Sequence, residues 1–215
     1  MEDNIDTILL NKTTKFLFND TSNYRLPWIA SGMTVSSYAL WAIFVLPGFR
    51  KVPWKLKVPF LPSSKHQTAN VVKLLNGRKG RLVDLGSGDG RLVFAAVSIG
   101  FQSRGYELNP ILVTWAKTQA RWRGISEMNA SFVKENFWTA DLSSYNNVVL
   151  FLAPSVMESL EQKLYAELSD DAWVIACRFP FPHWKPTGTE GTGLDQVWAY
   201  SMKTIRNGFT KPQPS

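Results

Sequence analysis

The stretch Leu82-Val-Asp-Leu-Gly86-Ser-Gly88-Asp-Gly90-Arg91 decides the fold. Arg81 to Leu85 is a short, mostly apolar run that stops at glycine, which predicts a buried strand closed by a tight turn. Gly90 to Ile99 is apolar and alanine-rich, as a packed helix should be, and Gly100 ends it. The alternation continues outward. Ser103–Glu107 reads as a second strand. Asn109 followed by Pro110 is a helix start, an N-cap and then proline at the first position, and that helix runs to Arg123–Gly124. Ala130–Lys134 and Val148–Leu152 read as the third and fourth strands; the apolar run after Asn147 suits a strand buried on both faces. Ser155-Val-Met-Glu158 reads as a capping box opening a helix to Leu168. Trp173–Cys177 and Leu194–Ser201 read as the last two strands. Upstream, Ser63 or Ser64 can cap a helix through Val71, Val72, Leu74 and Leu75 to Asn76–Gly77. Strands alternating with helices predict an α/β fold, a mostly parallel sheet with ligands bound at the carboxyl ends of its strands.

The glycine spacing is G-x-G-x-G, which gives a tight turn and lets a ligand approach the backbone. The dinucleotide fingerprint needs a glycine where this chain has Arg91, which disfavours a dehydrogenase. A dinucleotide site also holds a pyrophosphate at its helix N-terminus. Here Asp84 and Asp89 make the loop negative, so it suits a ligand with positive groups. S-adenosylmethionine carries an ammonium and a sulfonium and no phosphate, and an acid before G-x-G-x-G is the usual signature of its binding fold. Glu107 ends the second strand, where a carboxylate can accept both ribose hydroxyls. The third strand ends near Glu135-Asn136-Phe137-Trp138, which places Asn136 to bond the adenine edge and Phe137 or Trp138 to pack on its ring. The expected cofactor set is therefore Asp84, Gly86, Ser87, Gly88, Gly90, Glu107, Asn136 and Phe137. No metal is expected: the single cysteine, Cys177, excludes a Cys-based zinc cluster and a disulfide framework.

The 215 residues allow one ordinary domain and a small extra element. With 45% apolar and 19% charged residues, a disordered chain is excluded. The net charge of +7 is unevenly placed. Residues 50–81 hold nine basic and no acidic residues, whereas residues 82–215 hold twelve basic and thirteen acidic ones. Leu26 to Phe49, just before the basic block, has no charge at all. Twenty-four helical residues reach about 36 Å, enough for a hydrocarbon core of roughly 30 Å, so a transmembrane helix is expected there. The basic block then meets anionic headgroups and keeps residues 50–215 on the non-translocated side. The expected organisation is a leader (1–25), the transmembrane helix (26–49), a basic linker (50–62), the catalytic domain (63–203) and a tail (204–215). A nucleic-acid partner is not expected, because the neutral domain lacks a basic groove-lining run.

Leu82 to Arg91, Gly105-Tyr-Glu-Leu-Asn-Pro110, Ala176-Cys-Arg-Phe-Pro-Phe-Pro-His-Trp184 and Val197-Trp-Ala-Tyr200 resemble the mitochondrial seven-strand protein-lysine methyltransferases. The two known branches of that family modify the ATP synthase c-subunit and the adenine nucleotide translocase. The resemblance spans about residues 45 to 202. It implies a Rossmann-like class I S-adenosylmethionine-dependent methyltransferase, a lysine acceptor, and an uncleaved N-terminal segment anchored in the mitochondrial inner membrane with the catalytic domain facing the matrix. Asp84, Gly86, Gly88, Gly90 and Glu107 match the family's cofactor positions. Asn136-Phe-Trp departs from the family's Asp-Leu-Trp. Phe179-Pro-Phe-Pro-His-Trp184 resembles the c-subunit branch, while Leu46 to Pro53 and Phe151 to Ser155 resemble the translocase branch. The resemblance implies the ATP synthase c-subunit as the expected substrate, with the adenine nucleotide translocase as the alternative.

The chemistry expected is in-line attack of a neutral lysine amine on a sulfonium methyl. A free lysine has a pKa of about 10.4, so the pocket must desolvate it. Leu152-Ala-Pro154-Ser155 holds no carboxylate or amide, which leaves backbone carbonyls near Ala153 and Pro154 to orient the amine. Phe179, Phe181, Trp184, Trp198 and Tyr200 are candidates for an aromatic lysine channel, with core packing as the alternative. His183 is the candidate proton acceptor.

Overall fold

The computed structural model describes residues 31, 32, 34–36 and 62–208. The short N-terminal group, Ser31, Gly32, Thr34, Val35 and Ser36, is helical and exposed. The rest of the uncharged stretch and the linker 50–61 lie outside the described residues. Among the described residues no helix is long and apolar enough to cross a membrane.

From residue 62 the chain forms α1 (Lys65–Leu74), β1 (Arg81–Leu85), α2 (Arg91–Ser98), β2 (Gln102–Glu107), α3 (Pro110–Trp122), β3 (Ala130–Lys134), β4 (Asn147–Leu150), α4 (Pro154–Glu167), β5 (Trp173–Cys177), β6 (Gly188–Glu190), β7 (Val197–Ser201) and α5 (Met202–Gly208). The seven strands lie in the order β3-β2-β1-β4-β5-β7-β6. Strands β1 to β5 are parallel, and β7 pairs antiparallel with both β5 and β6. The mostly parallel sheet expected from the sequence is therefore present.

Alternate residues feed opposite faces, as the two-residue period of a strand requires. Val83, Leu85, Val148, Leu150, Val174, Ala176 and Tyr200 join Met157, Leu160 and Leu164 of α4 in one core. Leu82, Val149, Ile175, Cys177, Val197 and Ala199 join Val71 and Leu75 with Leu92 and Ala96 of α2 in another. A third cluster packs Phe94 and Val93 against Val113, Ala116 and Ala120 of α3 and Phe132 of β3.

Two helix starts follow the sequence. Ser64 caps α1 by accepting the Gln67 N–H at 2.9 Å, and Asn109 caps α3 by accepting the Ile111 N–H at 3.0 Å. The capping box at Ser155–Glu158 does not form. Proline fixes φ near the helical value, so Pro154 takes the first helical position and Ala153, which has no side-chain acceptor, becomes the cap. The last strand also starts later than expected, at Val197, because Gly193–Asp195 forms a 3-10 turn. Strand β6 was not anticipated from the sequence. Helix α5 was not anticipated either, and it runs past residue 203 and buries Ile205 in the main core.

Candidate active site

The sheet order reverses between β1 and β4, and the glycine loop leaves β1 at that switch point. Gly86, Gly88 and Gly90 have φ of 80°, 54° and 84°, in the left-handed region that a side chain disfavours. Backbone bonds fix the turn: the Gly86 and Ser87 N–H groups both donate to the Tyr106 carbonyl at 2.9 Å, and the Gly90 N–H donates to the Ser87 carbonyl at 2.8 Å. A Cβ on Gly90 would stand 2.7 Å from the Phe132 ring. Gly90→Ala is therefore expected to destabilise the domain by about 2–5 kcal/mol, from a left-handed residue and an overpacked contact together. Urea denaturation reads this, and a loss below about 0.5 kcal/mol, the usual range of a neutral surface change, would mean that the turn yields freely.

Asp84 sits beneath this loop, opposite Gly105 across the β1–β2 pair. It is 1% exposed, and neither carboxylate oxygen has a hydrogen-bond partner among the described residues. Burial, then the charges of Glu107 and Asp89, push its pKa up to about 8. A buried carboxyl without a partner is costly unless something else completes it. Ser87, also buried, has an Oγ with no partner among the described residues, and it occupies the space that a Cβ at Gly105 would need. Sequence reasoning did not give Gly105 this steric role.

Glu107 has two backbone partners that the sequence did not reveal. Its Oε2 accepts the Gly88 N–H at 3.0 Å, and its Oε1 accepts the Asn109 N–H at 2.8 Å. The side chain thus ties the glycine loop to the start of α3 and keeps acceptor capacity on both oxygens. Arg91 neutralises Asp89 at 2.6 Å and also donates to the Ser63 carbonyl before α1. At the next strand end, Asn136 Oδ1 accepts the Trp138 N–H at 3.1 Å. Phe137 is 8% exposed and packs in the main core with its ring centroid 5.0 Å from that of Trp138. On the β4 side, Leu152 approaches the Gly86 turn: a Cβ on Gly86 would lie 3.0 Å from Leu152 Cδ2.

Of the two readings open for the aromatic residues around the loop after β5, channel or core, packing accounts for three of them. Phe181, Trp184 and Tyr200 are buried and packed together, with ring centroids 4.7 to 6.0 Å apart, so these three are core side chains. Phe179 and Trp198 are half-buried. The anchor of this loop is Glu161 of α4, 5% exposed and missed by sequence reasoning. It accepts the backbone N–H groups of His183 at 2.9 Å and Trp184 at 3.1 Å, and meets His183 Nδ1 at 2.8 Å. The hydrogen bond to Glu161 and its charge raise the His183 pKa, which favours the imidazolium and weakens its case as a proton acceptor. The only signal for Glu161 was an acid set among Val156, Met157, Leu160 and Leu164 on one helix. Arg178, where β5 ends, is the one non-glycine residue with positive φ among the described residues (67°). Cys177 is buried, and burial together with the nearby Asp84 pushes its thiol pKa up, so it is inert.

An unpartnered acid under a three-glycine turn and a second acid at the neighbouring strand end suit a cationic nucleoside. On a seven-stranded sheet with an antiparallel β7, they go with the fold of an S-adenosylmethionine-dependent methyltransferase. Comparison with known proteins agrees. The ANTKMT methyltransferase domain matches residues 84–188, and the ANTKMT N-terminal domain matches residues 19–53. The human ATP synthase c-subunit lysine N-methyltransferase is 47% identical over 189 residues, covering 88% of this chain and 79% of that protein. Mouse adenine nucleotide translocase lysine N-methyltransferase is 46% identical over 174 residues, covering 80% and 76%. Among solved structures, an RNA methyltransferase from Salinibacter ruber in complex with S-adenosyl-L-homocysteine matches with a TM-score of 0.62 and 30% identity, covering 66% of this chain and 94% of that one. The chain belongs to the family of ATP synthase c-subunit and adenine nucleotide translocase lysine N-methyltransferases.

Proposed function

We propose that this enzyme methylates a lysine side chain of the ATP synthase c-subunit, at the mitochondrial inner membrane with its catalytic domain facing the matrix. The observation that carries the reading is the 47% identity to the human c-subunit lysine N-methyltransferase along most of both chains. Bound at the glycine loop, S-adenosylmethionine supplies a sulfonium methyl for in-line transfer to a neutral amine, with the thioether of S-adenosylhomocysteine leaving. The unpaired Asp84 carboxyl suits a cationic group of that ligand, and Glu107 suits its ribose hydroxyls. Ser87 and Asn136 complete the polar lining, and Phe137 backs the adenine side from the core. Leu152 and the turn into Pro154 form the acceptor side. Apolar surroundings there lower the lysine pKa, and alignment supplies much of the rate without a strong base. The uncharged stretch 26–49 anchors the chain in the bilayer, and the basic residues of the linker 50–62 meet headgroups.

The adenine nucleotide translocase is the second reading, favoured by the 46% identity to the mouse enzyme and by the family that residues 84–188 match. An RNA substrate fits less well, since residues 82–215 carry no excess of positive charge. Mass spectrometry of mitochondrial membrane proteins, with and without this gene, decides among them. Loss of a methyl-lysine on the ATP synthase c-subunit is the expected result. Loss only on the translocase, or only on RNA, overturns the substrate assignment.

A further inference from the structure

Helix α3 has two apolar faces. Val113, Ala116 and Ala120 enter the core. On the opposite side, at helical spacing, lie Ile111, Trp115 and Trp122, exposed to 37%, 48% and 75%. The two indoles pair edge to face with centroids 6.2 Å apart. Just beyond the helix, Met128 is 81% exposed. A helix that already buries one face has no structural use for a second apolar stripe, and exposed tryptophan adds to the anomaly. The charges on the helix itself have one sign. Lys117, Arg121 and Arg123 lie on or next to α3, and the helix itself carries no carboxylate; Glu127, beside Met128, is the first acid after it.

The geometry points to α3 as a second, peripheral contact with an anionic lipid surface, made through Trp115 and Trp122 with Lys117 and Arg121 along one flank. Indoles favour the headgroup level, where an apolar body and an N–H donor are both satisfied. Cations around an apolar stripe are the pattern of interfacial helices. A second copy of this chain is the rival occupant, but like charges beside the stripe oppose a symmetric pairing. The contact is independent of the uncharged stretch 26–49 and of the cofactor pocket. Because α3 starts three residues after Glu107, it would turn the β2 edge of the pocket toward the bilayer.

The test uses the full chain with Thr118→Cys, on the same stripe, carrying an environment-sensitive fluorophore. Cys177 is fully buried and stays unlabelled. The probe reports on α3 whatever else holds the chain to the vesicle. Phosphatidylcholine vesicles containing about a third phosphatidylserine are expected to shift the emission to the blue. Trp115→Ser with Trp122→Ser should weaken that response at least about tenfold, and Lys117→Gln or Arg121→Gln about fivefold each, less so in high salt. Both indoles are exposed, so circular dichroism and cofactor binding should not change. An unshifted emission with anionic vesicles overturns the proposal, as does an equal response to pure phosphatidylcholine. A blue shift that grows with protein concentration without vesicles overturns it in favour of a dimer.

Discussion

Glu107→Ala is expected to lower S-adenosylmethionine affinity by roughly two to four orders of magnitude and to abolish methyl transfer at ordinary cofactor levels. The magnitude follows from losing two charged hydrogen bonds to a ribose, each worth about 1.5–3 kcal/mol. The substitution also frees the Gly88 and Asn109 N–H groups that Glu107 now accepts. Glu107→Gln separates the two roles, because its one carbonyl oxygen can keep one of those backbone bonds but not both. It should recover part of the thermal stability and little of the affinity. Calorimetric titration of the cofactor, with a melting curve of each variant, measures both. Unchanged affinity in Glu107→Ala would remove the ribose role and with it the pocket assignment.

The second large effect concerns Asp84. Its carboxyl is held near pKa 8 in the free protein, by burial first and by Glu107 and Asp89 after that. A cationic ligand lowers that pKa, so cofactor binding below pH 8 should release a proton. The apparent affinity should then rise with pH, by up to about tenfold per unit, and level off above about pH 8. Stability of the cofactor-free domain should move the opposite way. An acid whose folded pKa lies above its unfolded value of 3.8 binds more protons folded than unfolded between the two values. Its contribution is fully present below the lower value and is lost as pH rises to the upper one. Asp84→Asn should abolish the pH dependence of binding and remove the Asp84 part of that of stability, leaving the part due to His183; it should leave the free fold at least as stable at pH 8 and cut cofactor affinity at least about a hundredfold. Calorimetry in two buffers of different ionisation enthalpy counts the proton directly. No release at pH 7, or normal binding by Asp84→Asn, would place the cationic end of the cofactor elsewhere.

The sequence made β1, the glycine turn and the start of α3 legible because each carries a local signal with one physical meaning. Three glycines at alternate positions demand left-handed backbone, and Asn109-Pro110 demands a capped helix start; both are present. What escaped depends on partners distant in the chain. Nothing local gives Glu161 a partner; the 181–184 loop packs on α4 and brings it two backbone N–H groups. The aromatic run from Phe179 to Trp184 pointed equally to a channel or to a core, and packing against Tyr200 placed two of its rings inside. Strand β6 has three residues and two exposed or half-exposed faces, so no hydrophobic period marks it. The Ser155 capping box failed because a proline one residue earlier fixed the helix start.

Glu107 ties the glycine loop to the first turn of α3 through two hydrogen bonds internal to the chain. The crevice is therefore built before its guest arrives, and little chain ordering remains to offset the energy of docking. The Gly88 and Asn109 amides should exchange slowly with deuterium even in apoprotein, and association should proceed in a single diffusive step without a slow isomerisation. Turnover would then be paced on the acceptor side, by the arrival of a lysine that has shed its water.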